Sequence, residues 1–152
     1  MKKSMQSEMK ENNSVMAVID TNVLVSSLFS KDGKSYPALV IDSIFRGLII
    51  PLYNEDIVQE YRDVLSRQKF NFPKSLIEEL LSGIVESGLN TERTAICKEE
   101  FSDKDDLVFY EIKMSVEDSY LVTGNLKHFP NNPLVVNPAE MVEILKNRKL
   151  LH

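Results

Sequence analysis

The sequence contains little that would stabilise a secreted protein or anchor a membrane protein. Cys97 is its single cysteine, so it can form no disulfide bond within the chain and no cysteine-based zinc site. No apolar run approaches the roughly 20 residues that span a bilayer. Residues 1–14 lack the apolar core of a signal peptide. These absences predict a protein of the reducing cytoplasm with no membrane segment.

Acidic residues outnumber basic ones, 23 to 18, so the formal net charge is −5. That balance argues against a large, non-specific surface for nucleic acid. It leaves room for a small basic groove, or for an acidic site that meets phosphate groups through bound cations.

The chain is long enough for one domain with one core. We expect a flexible, polar N-terminal tail over residues 1–14 and a single domain over residues 15–152. Strands are predicted at Val15–Ile19, Leu48–Leu52, Thr94–Cys97, Tyr120–Thr123 and Leu134–Val136. Helices are predicted at Tyr36–Arg46, Asn54–Arg67, Pro73–Ser87, Asp103–Val116 and Pro138–Asn147. The start of the last helix is marked by an N-cap at Asn137, a proline at N1 and an acid, Glu140, at N3. This alternation predicts an α/β fold, a three-layer α/β/α arrangement with a central, mainly parallel sheet of about five strands.

One carboxylate interrupts the apolar run at the start of this domain. Asp20 follows the predicted strand Val15–Ile19, and a short turn is expected to open into a helix after it. The carboxyl ends of parallel strands are where α/β proteins build their sites. Because an unpaired buried carboxylate is costly, Asp20 needs a metal ion, a hydrogen-bonding N-terminus or a ligand as its partner.

A second acidic candidate is Glu60, in the helix predicted after the second strand. It borders the inward stripe of that helix, three residues after Ile57 and four before Val64. The alternative is an ordinary solvated charge that pairs with Arg62 or Arg67.

Acidic residues also cluster where the fourth predicted helix begins. Asp103 has the position of an N-cap, and Asp105 and Asp106 favour the positive end of the helix. Capping alone would explain one or two of these acids. Three acids within four positions repel one another unless a cation neutralises them.

The strand Tyr120–Thr123 breaks at a Gly-Asn pair. If this strand neighbours the first one, Thr123 would lie level with Asp20 and its hydroxyl could hold the Asp20 carboxylate. The alternative is a plain turn at Gly124 and Asn125. His128, which follows shortly after, is more typical of a surface or packing residue than of a metal ligand.

Taken in order, these motifs resemble the PIN domain, in particular the toxin components of bacterial toxin–antitoxin pairs, the VapC-like ribonucleases. The similarity covers roughly Val15 to Leu145. It rests on four segments: Ile19-Asp20-Thr21-Asn22-Val23, Glu60, Asp103-Lys104-Asp105-Asp106 and Val122-Thr123-Gly124-Asn125.

The resemblance implies an endoribonuclease that depends on Mg²⁺ or Mn²⁺ and is blocked by an antitoxin protein. Asp20, Glu60 and Asp106 match the first three acids of the family and would be catalytic metal ligands, and Asn125 stands at the fourth catalytic position. Asp106 is preferred to Asp105 because it lies 19 positions before Asn125, the usual spacing. Hard oxygen ligands of this kind suit both metals.

One position departs from the family pattern. Many members have an acid at Asn125 or three residues later, where this chain has His128. An amide oxygen or an imidazole does not replace a carboxylate, so we expect weak binding of a second metal ion.

PIN toxins also commonly pair. A homodimer is therefore expected, because five Tyr, seven Phe and the apolar stripe of the Pro73–Ser87 helix could exceed what one core needs; the stripe includes Ile77, Leu80, Leu81 and Ile84. The alternative is that this stripe packs on the core of its own domain.

Two other functions remain open at this point. One is a PIN-fold module that binds RNA or a partner with little or no catalysis, favoured by the missing fourth acid and the negative net charge. The other is a phosphatase of the haloacid-dehalogenase type, which also places Asp at the end of its first strand. That family normally needs a second acid where this chain has Asn22.

Overall fold

The computed structural model describes residues 13–151 of the chain. The tail predicted over residues 1–14 therefore lies almost wholly outside the described residues. Between residues 13 and 151, no helix has both the length and the apolar character needed to cross a membrane.

The described residues form five strands and six α-helices. The strands are β1 Val15–Ile19, β2 Ile49–Tyr53, β3 Leu89–Asn90, β4 Tyr120–Val122 and β5 Val135–Val136. The helices are α1 Thr21–Leu28, α2 Tyr36–Phe45, α3 Glu55–Leu65, α4 Lys74–Ser87, α5 Lys104–Met114 and α6 Pro138–Asn147. One turn of 3-10 helix, Leu126–His128, follows β4.

The strands pair in the order β3-β2-β1-β4-β5, and all pairs are parallel. Every residue of the central strand β1 is buried, as expected for an apolar strand with helices on both sides of the sheet. The predicted three-layer α/β/α architecture is confirmed. Because all strands run the same way, the residues that follow β1 and β4 meet at one edge.

Most predicted boundaries agree with the structure to within one or two residues, and β1 and α6 agree in full. The caps explain several of the small differences. Asn54 and Asp103 each cap a helix that begins at the following residue. Pro73 has extended backbone angles, so α4 begins after it.

The strand predicted at Thr94–Cys97 is wrong, and the edge strand is β3 instead. The N–H groups of Thr94 and Ala95 donate to the Ser115 hydroxyl, and the N–H of Cys97 donates to the Glu111 carboxylate. Side chains of α5 and of its C-cap residue thus satisfy the donors that a neighbouring strand would have satisfied, so this segment does not join the sheet.

The predicted dimer stripe on α4 is also wrong. Its four apolar side chains are buried in the domain's own core: Ile77, Leu80, Leu81 and Ile84. A stripe at helical spacing cannot reveal whether it will face its own sheet or another molecule, and here it faces its own sheet.

Candidate active site

Asp20 and Thr123 are neighbours because their strands are neighbours. Ile19 of β1 pairs with Val122 of β4, and the next residue on each strand is Asp20 or Thr123. Both side chains are buried, and the Thr123 hydroxyl donates a hydrogen bond of 2.7 Å to Oδ2 of Asp20. The contact predicted between these two residues is confirmed.

Asn22 connects Asp20 to the turn after β4, a role that the sequence analysis missed. Its Nδ2 donates to Oδ2 of Asp20 at 3.2 Å, and its Oδ1 accepts from the N–H of Gly124 at 3.0 Å. The N–H of Asn125 donates to the Thr123 hydroxyl at 3.0 Å. Two features of the sequence could have indicated this role of Asn22. Its amide lies two residues after the buried acid Asp20, and a Gly-Asn turn follows a later strand.

The environment of Asp20 disfavours the charged form of its carboxyl group. Burial raises the pKa of this carboxyl, while the Thr123 hydroxyl and the backbone N–H of Thr21 lower it. Burial is the largest of these effects. Asp20 sits at the N-cap position of α1 but does not cap it, so its carboxylate is available to other partners.

Glu60 is brought toward the same edge of the sheet by its neighbour Tyr61. The buried Tyr61 hydroxyl donates a 2.5 Å hydrogen bond to the carbonyl of Ile19, the last residue of β1. This bond ties α3 to the strand that ends at Asp20. Glu60 itself is half-buried, and burial and the charge of Asp105 raise its pKa, while Arg67 opposes them.

Asp106 lies in the first turn of α5. Oδ1 of Asp103 accepts the N–H of Asp105 at 2.9 Å, which confirms Asp103 as the cap. The Asp106 side chain is only 13% exposed. Burial, followed by the charges of Asp20 and Asp103, raises the pKa of Asp106 to about 6.

His128 provides a cation beside these acids when it is protonated. Its Nδ1 lies 3.5 Å from Oδ2 of Asp106, and the imidazole is 54% exposed. Its positive charge lowers the pKa values of both Asp20 and Asp106. The side chain is thus a surface residue, as expected for a lone histidine, and also a member of the acidic site.

The four predicted site residues therefore interact with different parts of the acidic cluster. The charge of Asp20 raises the pKa of Asp106. Glu60 interacts with the Asp103 and Asp105 end of the cluster. Asn125 is exposed on the turn whose backbone is tied to Thr123.

The chain belongs to the PIN domain family. The family model for the PIN domain matches residues 16–127, which is well over half of the chain. The matched range contains all four predicted site residues: Asp20, Glu60, Asp106 and Asn125. PIN domains are generally nucleases that use divalent metal ions. No curated protein and no solved structure is detectably similar to the chain.

The side chains at this edge suit a divalent cation in their chemistry. Carboxylate oxygens are the preferred ligands of Mg²⁺ and Mn²⁺. The raised pKa values of Asp20, Glu60 and Asp106 indicate negative charges that a cation would stabilise. Over residues 13–151, however, no three acidic, histidine or cysteine side chains lie close enough to hold one ion as they stand. An ion bound here would therefore be held by one or two of these carboxylates, with water completing its coordination, as is usual for Mg²⁺.

Proposed function

We propose that this PIN domain is a metal-dependent endoribonuclease that hydrolyses RNA phosphodiesters. The observation that carries the proposal is the pair formed by Asp20 and Asp106. Both carboxyl groups are largely buried, and the charge of Asp20 contributes to the raised pKa of Asp106. A pair of this kind at the carboxyl edge of a parallel sheet suits an acidic metal site.

Asp20 and Asp106 would hold the ion, and Glu60 would either join them or orient the attacking water. The bound Mg²⁺ or Mn²⁺ would supply a water of lowered pKa and positive charge for the phosphate oxygens. Thr123 and Asn22 would keep the Asp20 carboxylate in place through their hydrogen bonds. Lys127 and His128, both exposed on the turn after β4, would contact the RNA phosphates.

The reaction would be a direct hydrolysis. A bond forms between the water oxygen and phosphorus as the bond from phosphorus to the 3′ oxygen breaks. The 3′ oxygen takes up a proton and leaves as a hydroxyl. Because water and not the ribose 2′-hydroxyl attacks, the products carry 5′-phosphate and 3′-hydroxyl ends.

Analysis of the cleavage products of end-labelled RNA tests this proposal. The full chain should cleave RNA in Mn²⁺ or Mg²⁺ and should lose activity in EDTA. Asp20→Asn and Asp106→Asn should abolish cleavage, whereas Asp56→Asn, at an exposed position in the first turn of α3, should not affect it. Products with 2′,3′-cyclic phosphate ends, or activity that survives EDTA, would contradict the mechanism.

A second candidate function is binding of RNA or a partner with little or no catalysis. Two observations favour it: Asn125 is not an acid, and residues 13–151 contain no ready-made three-ligand metal site. The same assay separates the two functions. RNA that is bound but left intact in Mn²⁺, with no difference between the wild type and Asp20→Asn, would support the binding module.

We also propose that the chain acts in the cytoplasm as the toxin of a toxin–antitoxin pair. Exposed apolar side chains support a protein partner, because such patches mark interfaces. Phe29 and Phe45 are 56% and 51% exposed, and a cavity of about 360 Å³ lies between α1, α2 and α4 beside Phe45. Growth arrest on expression of the chain, relieved by the product of an adjacent gene, is the expected result.

A homodimer is the form that we propose for the chain without its antitoxin. The same exposed apolar surface supports it, in place of the α4 stripe. Light scattering should give twice the monomer mass at high concentration, and Phe45→Ser should lower that mass. A monomer mass for the wild type would contradict the dimer.

A further inference from the structure

A small cavity of about 180 Å³ lies directly beside the acidic site. Asn22, Gly124 and Asn125 line it, and these residues also belong to the hydrogen-bond network around Asp20. The bonds that hold the Asp20 carboxylate therefore also hold one wall of the cavity. Whatever occupies the cavity would lie next to a group bound at the acidic site.

The rest of the cavity wall is uncharged. Val23 and Ser26 of α1, Pro37 of α2 and Pro138 of α6 line it. This wall combines apolar surfaces with one hydroxyl, in contrast to the carboxylates on the other side of Asn22. A neutral, flat group with a polar edge suits such a wall better than a charged group does.

Helix N-terminal turns surround the cavity, and such turns normally favour anions. At α2 and α6 part of these donors is used or absent. Pro37 and Pro138 have no backbone N–H. The caps Ser35 and Asn137 each accept one N–H group from the first turns of α2 and α6. These two helices therefore offer few free donors to a phosphate oxygen in the cavity.

We propose that this cavity binds one nucleobase of the RNA, next to the phosphate that is cleaved. The proposal rests on the nuclease function proposed above and adds the determinant of its sequence preference. The Ser26 hydroxyl and the Asn125 amide each donate and accept, so they would bind the base edge. Pro37 and Val23 would contact its faces. Proteins bind unstacked bases of single-stranded RNA through such combined edge and face contacts.

The test uses one RNA that is cut at a single position in Mn²⁺, with derivatives that each lack one base near that position. For the wild type, loss of one particular base should lower kcat/KM about tenfold, within the range known for base contacts. Ser26→Phe fills the cavity from an exposed helix position. The Ser26→Phe variant should have a kcat/KM about tenfold below that of the wild type on intact RNA. Its kcat/KM should fall no further on the RNA that lacks that base.

Two further variants control for folding and for added bulk. Ser75→Phe places the same side chain at an exposed position of α4 and should behave like the wild type. Ser26→Ala removes the hydroxyl without adding volume, and it should weaken the preference for one base while the thermal melt stays unchanged.

Three outcomes would overturn the nucleobase proposal. The first is that Ser26→Phe keeps the wild-type rate and the wild-type dependence on the base. The second is that the variant slows cleavage of intact and base-deficient RNA equally while loss of the base leaves the wild-type rate unchanged, which would identify a sugar-phosphate site. The third is that the wild type neither binds nor cleaves the RNA, an outcome that also removes the proposed function.

Binding measured by fluorescence anisotropy separates the two proposals. If the wild type binds the RNA without cutting it, and binding depends on one base only when Ser26 is present, the cavity proposal stands and the nuclease proposal falls. If the wild type cleaves the RNA and removal of no base near the cut changes the rate, the nuclease proposal stands and the cavity proposal falls.

Discussion

The hydroxyl of Thr123 donates a 2.7 Å hydrogen bond to the carboxylate of Asp20, a residue 103 positions earlier in the chain. The parallel pairing of β1 with β4 places the two side chains together at the same sheet edge. The bond favours the charged form of Asp20 and so opposes the effect of burial on its pKa. In the proposed metal site Asp20 must carry that charge, so we expect the proposed function to depend on Thr123.

We therefore expect Thr123→Val to weaken both the site and the fold. Valine keeps the shape of threonine but leaves Asp20 and the N–H of Asn125 without this partner. The free energy of unfolding should fall by about 1–3 kcal/mol, and cleavage should slow by at least about tenfold. Urea titration and RNA cleavage measure the two effects. Thr94→Val, at an exposed position, is the matched control and should change neither.

Stability should depend on pH through Asp106. The folded-state pKa is about 6, above the ordinary value of 3.8, so between these values the folded state binds more protons than the unfolded state. The contribution of this carboxyl to the free energy of unfolding is fully present below about pH 4, and it is lost as the pH rises through about 6. Relative to the wild type in EDTA, Asp106→Asn should become more stable as the pH rises, by up to about 3 kcal/mol.

Urea unfolding at several pH values, with Asp56→Asn as the control, measures this difference. If the wild type and Asp106→Asn differ by the same amount at pH 4 and pH 7, Asp106 is not the group that titrates.

Divalent cations should stabilise the folded protein. An ion that binds only the folded state stabilises it by mass action, by about 2.7 kcal/mol when its concentration is 100 times the dissociation constant. Millimolar Mn²⁺ should therefore raise the midpoint of a thermal melt at pH 7.5. Asp20→Asn should reduce the shift. A wild-type melt that does not respond to Mn²⁺ would count against the metal site.

Asn125→Asp should raise activity at low metal concentration. The change adds a carboxylate on the exposed turn whose backbone is tied to Thr123, and this carboxylate would strengthen binding of a second metal ion. Cleavage rates across a Mn²⁺ titration measure the effect, which should shrink as Mn²⁺ approaches saturation. Asn131→Asp, at an exposed position further along the same loop, should leave the titration unchanged.

Much of the fold follows from local patterns that act over a few residues. The apolar run Val15–Ile19 predicts a buried strand, and the Asn137 and Glu140 pair predicts the capped start of α6; both are confirmed. The strand predicted at Thr94–Cys97 fails because its partners lie elsewhere in the chain. Ser115 and Glu111 take its N–H donors, and no local pattern indicates that contact.

The residues of the candidate site were likewise predicted only in part from the sequence. The order and spacing of Asp20, Glu60 and Asp106 in the sequence suffice to suggest a PIN domain, and the family match over residues 16–127 confirms that membership. The role of Asn22 in joining Asp20 to Gly124 was missed, because it depends on two turns that are distant in sequence.

By itself, the sequence determined the fold class, since strand and helix periodicity and capping are local properties, and it indicated the family through the order and spacing of its motifs. Only the tertiary structure decided which side chains meet. It buried the α4 stripe in the core, placed His128 beside Asp106 and formed the uncharged cavity beside Asn125. These outcomes depend on strand order and on the packing of helices against the sheet, which join residues far apart in the chain.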